Sequence, residues 1–347
     1  MDHNILKSIF LIGSPFGLCQ NKFYKLFAIG FFLLYNVGII VKFHARQNSS
    51  YWTLSSMQFV LRLLLNCDLY FHNFYVFIIV GITKRNQLTR LVTNIKKIKL
   101  GGLSQYHCVF FGWYITMVAV LSLNFYIWWT CFKFDFIRFY LIEYFEMYTQ
   151  FFFILSACII LRMLLFRYKY QKQLILEESV MKQITSLNMH DIEINLVILK
   201  RTDSTFNEIF GWTILYNIFF AAIKTLIYLD IAVKNYSTLV THSTSQFVSQ
   251  ITLLLLFWVI CIIVVIRFCD SIIEEFEGLI SLAYRFENCD LDLIIDKNEI
   301  CEFIKNVSQN RPKFTAGRYF VIEMTLIFNI LDSMTTFLLI VLQFKEN

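Results

Sequence analysis

The segment Thr336-Phe337-Leu338-Leu339-Ile340-Val341-Leu342-Gln343-Phe344 closes an apolar run that begins near residue 319, with only Lys345, Glu346 and Asn347 after it. Read as a helix, it puts Thr336, Ile340 and Phe344 at i, i+4 and i+8 on one face, with Gln343 beside Phe344. A run of this length is a membrane-span candidate, because about 20 apolar residues are needed to cross the hydrocarbon. Taken alone, it is an ordinary lipid-facing helix end. What surrounds it decides whether it is more.

Working outward, the 347 residues are 57% hydrophobic, 18% aromatic and 16% charged, against about a quarter charged in soluble domains. The mean hydropathy is +0.59. Apolar runs near 26–41, 59–82, 108–130, 139–166, 209–233, 247–266 and 319–344 predict seven spans in an all-α membrane protein. The run from Phe247 to Ile266 carries no charge. Lys7 is followed by only a short apolar patch broken at Gly13, Ser14, Pro15 and Gly17, so no cleavable signal is expected and the first span acts as its own insertion signal. The two prolines, Pro15 and Pro312, lie outside every run. That excludes proline-kinked spans and argues against the broken helices of many transporters.

Orientation follows from basic residues in short loops. The stretch from Thr83 to His107 holds Lys84, Arg85, Arg90, Lys96, Lys97 and Lys99 with no acid, whereas Phe43 to Gln58 holds Arg46 alone. The former is predicted cytoplasmic, which places residues 1–25 inside and the C-terminus outside. This is opposite to a G-protein-coupled receptor, the remaining alternative for a seven-span signalling protein. The sequons at Asn48 and Asn235 fall in predicted outer loops and are candidate glycosylation sites. A third, at Asn306, falls inside.

Several chemistries find no support. The nine cysteines contain no C-x-x-C, the six histidines no metal spacing and the eleven glycines no phosphate loop. No catalytic residue, metal or cofactor is expected. The net charge of +6 is small and scattered, which argues against nucleic acid and for a basic membrane face. The cytoplasmic segments near 167–208 and 267–318 are long but not featureless. Ile272, Ile273, Phe276, Leu279, Ile280 and Ala283 form an amphipathic stripe opposite Glu274, Glu275 and Glu277, and Leu174, Ile175, Val180, Ile184 and Leu187 form a weaker one. Both predict helices running on from the spans into the cytosol, their stripes buried against each other or a neighbouring subunit.

The C-terminal segment resembles the seventh-span signature of insect gustatory receptors, Thr-Tyr, five hydrophobic residues and Gln-Phe, with Phe337 in place of the usual tyrosine. The approach from Phe314-Thr315-Ala316-Gly317 to Asp332 is similar as well. The resemblance implies a tetrameric, ligand-gated, non-selective cation channel in the plasma membrane of chemosensory neurons. Four copies of the seventh helix, residues 319–347 with the short outer tail, would line the pore, and 267–318 would form a cytosolic anchor domain. By carry-over Phe344 is the hydrophobic plug and Gln343 the polar side chain beside it, with Ile340 and Thr336 continuing the pore wall. A homotetramer, or a heterotetramer with related subunits, follows. The related insect odorant receptor subunit is the alternative.

The family's ligand cleft lies among spans two to six within residues 26–266, open to the outside. Charged residues inside spans are costly and therefore candidate lining. Arg62, Glu143, Glu146 and Lys224 qualify, with Gln150 at i+7 from Glu143, and Tyr144, Tyr228, Trp128 and Trp129 add aromatic surface. Arg62 paired with Glu143 or Glu146, and a tryptophan belt at the interface, would be the purely structural reading. Asp68 and His72, at i and i+4, are expected to hydrogen-bond within the bundle. Carboxylates and an amide would serve a sugar or a cationic bitter amine alike.

Overall fold

The structure is a computed structural model that describes residues 24–47, 56–98, 106–181, 186–234, 242–288 and 297–343. Asn48, Asn235 and Phe344 lie outside the described residues. Within them the chain forms α1 (Tyr24–Gln47), α2 (Ser56–Phe74), a π-helical continuation of α2 (Tyr75–Thr83), α3 (Arg85–Lys97), α4 (Tyr106–Phe132), α5 (Phe134–Met181) and α6 (Ser186–Lys234). Then follow α7 (His242–Asn288), α8 (Lys297–Ser308), β1 (Thr315–Ala316), β2 (Phe320–Val321) and α9 (Met324–Gln343).

All seven expected spans fall on helices. Phe59–Thr83, Tyr140–Glu177, Met189–Ile227 and Leu256–Arg285 are long and apolar enough to cross a membrane, and Ala28–His44, Gly112–Ile127 and Met324–Ser333 are shorter apolar stretches. Helices suit these runs because lipid offers no partner for a free peptide group. With no internal proline, α5, α6 and α7 run unbroken for 48, 49 and 47 residues. The expected last span needs one correction: residues 315–321 are a small antiparallel hairpin and α9 starts only at Met324. Gly317 and Arg318 turn the chain at φ of 58° and 70°, in the left-handed region where glycine is at ease.

The core lies between α5, α6 and α7. Trp258 of α7 is fully buried, with ring centroids of Phe151 on α5 and Phe220 on α6 at 3.7 and 4.2 Å. Its indole N–H donates to Asn217 Oδ1 of α6 at 3.0 Å, which satisfies the one polar atom of the ring. Below, Ile272, Phe276, Leu279 and Ala283 are buried as the amphipathic stripe predicts, and Glu274 and Glu277 are exposed. Lys172 of α5 pairs with Glu275 at 3.0 Å, and Tyr168 donates to Asp203 of α6 at 2.6 Å. In the weaker stripe Ile175 is buried and Leu174 partly so. Ile184 lies outside the described residues, and nothing is described of the side chains of Val180 and Leu187.

Candidate ligand cleft and pore helix

Glu146 is the best-held of the predicted cleft residues. Its carboxylate accepts from Tyr35 at 2.6 Å and pairs with Lys42 at 3.4 Å, and both partners come from α1. Lys42 also donates to Asn66 of α2 at 3.2 Å. The pair is almost fully buried, 8% and 2% exposed at the side chains, so each charge answers the other in a low dielectric. One turn deeper on α5, Gln150 donates to Asp68 of α2 at 3.3 Å. A polar seam thus joins α1, α2 and α5 in the bundle. Tyr35 and Lys42 are seven residues apart on one face of the first helix, and that spacing was the available signal for them.

Glu143, one turn above Glu146, takes a different partner, Lys224 of α6 at 2.9 Å. The arginine pairing that a structural reading suggested is therefore not what holds Glu146, and Arg62 sits half-buried on α2. Tyr144 donates to Asn124 of α4, and the hydroxyls of Tyr148 and Tyr114 lie 3.1 Å apart. Trp129 stacks on Phe125 at 6.2 Å, with Phe134 and Phe136 edge-on. Nothing is described of the side chains of Trp128 and Tyr228. The expectation for His72 needs correcting. Fully buried, it packs edge-on against Phe153 and Tyr216, and neither ring nitrogen has a hydrogen-bond partner among the described residues. Gln150 Oε1 and Thr213 Oγ1 are likewise without partners there. The described residues include no cluster of His, Cys, Asp and Glu fit to hold a metal.

α9 has two sides. Thr325, Asn329, Asp332, Ser333 and Thr336 recur at three- and four-residue steps and are all exposed. The same spacing carries the stripe on to Ile340 and Gln343, though their side chains are not described. Phe328 and Leu339, 67% and 55% exposed, flank the stripe at one edge, and Leu331, 54% exposed, lies further round. The chain's own core covers only the side of Leu326, Ile327 and Ile330, which leaves outward the polar stripe, a surface that hydrocarbon cannot solvate, and the apolar side chains beside it.

A compact junction links the cleft helices to α9. Gly211 of α6 accepts from Gly317 N of the hairpin at 2.9 Å, and a Cβ at Gly211 would stand 2.8 Å from the Thr315 carbonyl oxygen. Asn207 of α6 donates to Lys313 O at 2.6 Å and accepts from Thr315 N at 3.1 Å. The π-helical turn ends on Lys84 N, which donates to Ile79 O at 2.7 Å, the five-residue step of that helix. Lys84 then donates to Tyr75 Oη at 3.0 Å and to Glu208 O. Partial burial holds the Lys84 ammonium below its ordinary pKa, with Glu208 opposing and Arg318 adding to the shift.

Residues 85–347 match the profile of the family described as 7tm Chemosensory receptor. No curated protein matches the sequence. Among solved structures, the insect olfactory receptor OR5 from Machilis hrabei superposes with a TM-score of 0.66 at 12% identity, over 98% of each chain. The same receptor in complex with eugenol gives 0.67 at 12% identity and the same coverage.

Proposed function

The chain belongs to the 7tm chemosensory receptor family, a family of receptors rather than enzymes, and from that premise we propose that it is a ligand-gated, non-selective cation channel of the gustatory type. Four copies stand around one pore lined by α9. The observation that carries this is the exposed polar stripe Thr325, Asn329, Asp332, Ser333 and Thr336 on an otherwise apolar helix. One helix encloses no water path, whereas four with their stripes turned inward do, and an ion there exchanges hydration for oxygen ligands. Asp332 would then form a ring of four carboxylates that favours cations. Gln343 and Phe344 sit at the outer gate, with Ile340 and Thr336 behind them.

A small tastant enters the outer cleft of each subunit, among Arg62, Trp128, Trp129, Glu143, Tyr144, Glu146, Gln150, Lys224 and Tyr228. Since Glu146 and Glu143 already hold Lys42 and Lys224, a cationic amine gains from them only by displacing a lysine. A polyol can hydrogen-bond to the less buried Lys224–Glu143 pair, 10% and 15% exposed at the side chains, without displacing it, so a sugar-class ligand is the better fit. Binding opens the pore by as much free energy as the ligand's affinity differs between closed and open arrangements. A second reading, an odorant receptor subunit, is favoured by the likeness of the fold to an olfactory receptor.

Whole-cell recording of the chain expressed alone, against sugars, amino acids, alkaloids and volatile phenols such as eugenol, tests both readings. The gustatory reading expects saturable current with a soluble tastant. Phe344→Ala is expected to raise the ligand-free current severalfold. Response to volatiles alone favours the odorant reading, and no cation current at verified surface expression overturns the channel.

A further inference from the structure

The sequence from Leu69 to Phe134 contains no acidic residue, and six of its seven lysines and arginines, all but Lys133, gather on and beside α3, which follows the π-helix after the turn at Lys84. α3 buries Leu88, Leu91, Val92 and Ile95 on one side. On the other side Arg90 and Lys97 share a face at i and i+7, with Lys96 at its flank, and all three are exposed. None of the ion pairs among the described residues involves them.

The two ends of α3 fix its level. At the start, Lys84 donates to the carbonyl of Glu208, just before the expected fifth span opens at residue 209. At the end, the Ile95 carbonyl accepts from Arg167 Nε at 2.9 Å, and Arg167, buried on α5, is the first residue beyond the expected fourth span. Both anchors stand at the cytoplasmic boundary of the bilayer. A 13-residue helix held at both ends on that boundary lies along the membrane surface for about 20 Å.

We propose that this face of α3 is a binding site for the phosphate-bearing headgroup of an anionic phospholipid of the inner leaflet, gripped by Arg90, Lys96 and Lys97. The inference rests on the membrane placement used for the proposed function. Charge complementarity selects the occupant, since the inner leaflet carries the membrane's anionic headgroups and a polybasic segment next to a span meets them within a Debye length. A guanidinium and an ammonium two turns apart, with a second ammonium beside the latter, bracket a multiply charged phosphate, and arginine forks onto its oxygens. Orienting the chain during insertion asks only for positive charge in this loop. A headgroup site asks for exposed cations gathered on the membrane-facing side, as Arg90 and Lys97 are on one face of α3 with Lys96 at its flank. The occupied site would hold α3, and with it Lys84 and Glu208, against the membrane three residues from Gly211, where the hairpin ahead of α9 rests.

The test is binding by the purified full-length chain in phosphatidylcholine nanodiscs, titrated with fluorescent dioctanoyl phosphatidylinositol bisphosphate. The wild type is expected to bind saturably. R90Q/K96Q/K97Q is expected to weaken binding by about a hundredfold, at about fivefold per cation, and R90K/K96R/K97R to keep it. Should the triple variant fold poorly, each single glutamine variant is expected to show its fivefold loss. Equal binding by wild type and glutamine variants of unchanged melting temperature overturns the site. Full competition by free inositol trisphosphate at the same concentration assigns the face to a soluble phosphate and overturns the lipid. The readout needs no current, so a silent channel that still binds lipid fails the proposed function alone.

Discussion

At Lys42 and Glu146 two opposite charges depend on each other, with Tyr35 and Asn66 completing their shells. Removing one partner leaves the other charged, buried and unanswered. Lys42→Met is therefore expected to destabilise the protein by about 3–5 kcal/mol, read as a fall in the thermal midpoint of the purified protein and in surface expression. Lys42→Met with Glu146→Leu is expected to recover most of the loss, and a double variant no better than the single would show that the pair is not coupled. The sequence marked Glu146 because acids inside spans are expensive. It did not mark Lys42, since a lysine near the end of a span ordinarily snorkels into water. The two are 104 residues apart, and only the packing of α1 on α5 brings them together. His72 was readable as a buried imidazole but not as an unpartnered one, because that depends on Phe153 and Tyr216 filling the space where a donor or acceptor would sit.

The spans and the amphipathic stripe of α7 were legible because each follows from one local rule, apolar length for the first and 3.6-residue periodicity for the second. The hairpin ahead of α9 was not. Phe320 and Val321 read as the start of a span, although Gly317 offered a turn signal. The π-helix left no trace in composition, since its widened turn is a matter of backbone bonding. In the folded chain the hairpin rests on the bare backbone of α6. Gly211→Val would push the Thr315 carbonyl away, at about 1–3 kcal/mol for an overpacked contact. Ligand-evoked current is expected to fall more than tenfold while surface expression stays above about half. An unchanged dose-response would mean that the contact carries no signal to α9. On α9 the face of Thr336, Ile340 and Phe344 was legible from spacing, and Asn329 and Asp332, at i−7 and i−4 from Thr336, follow from the same periodicity; that they are exposed depends on how α9 packs on the rest of the chain.

For the whole molecule the proposed topology and stoichiometry stand together. A tag after Asn347 is expected to bind antibody on intact cells and one before Met1 only after permeabilisation, and the protein in nanodiscs is expected to have the mass of four chains. A tag behind Asn347 that stays hidden on intact cells would reverse the orientation and with it the outer placement of the gate. The same architecture has a mechanical corollary. α6 is one uninterrupted rod of 49 residues, about 70 Å from tip to tip, with Lys224 of the cleft toward one end and Gly211 nearer the middle. A rod of that length magnifies rotation: five degrees about its centre would carry each tip sideways by about 3 Å. Sub-ångström adjustment around a small guest could thereby become ångström travel at a distant aperture, with stiffness alone as the transmission.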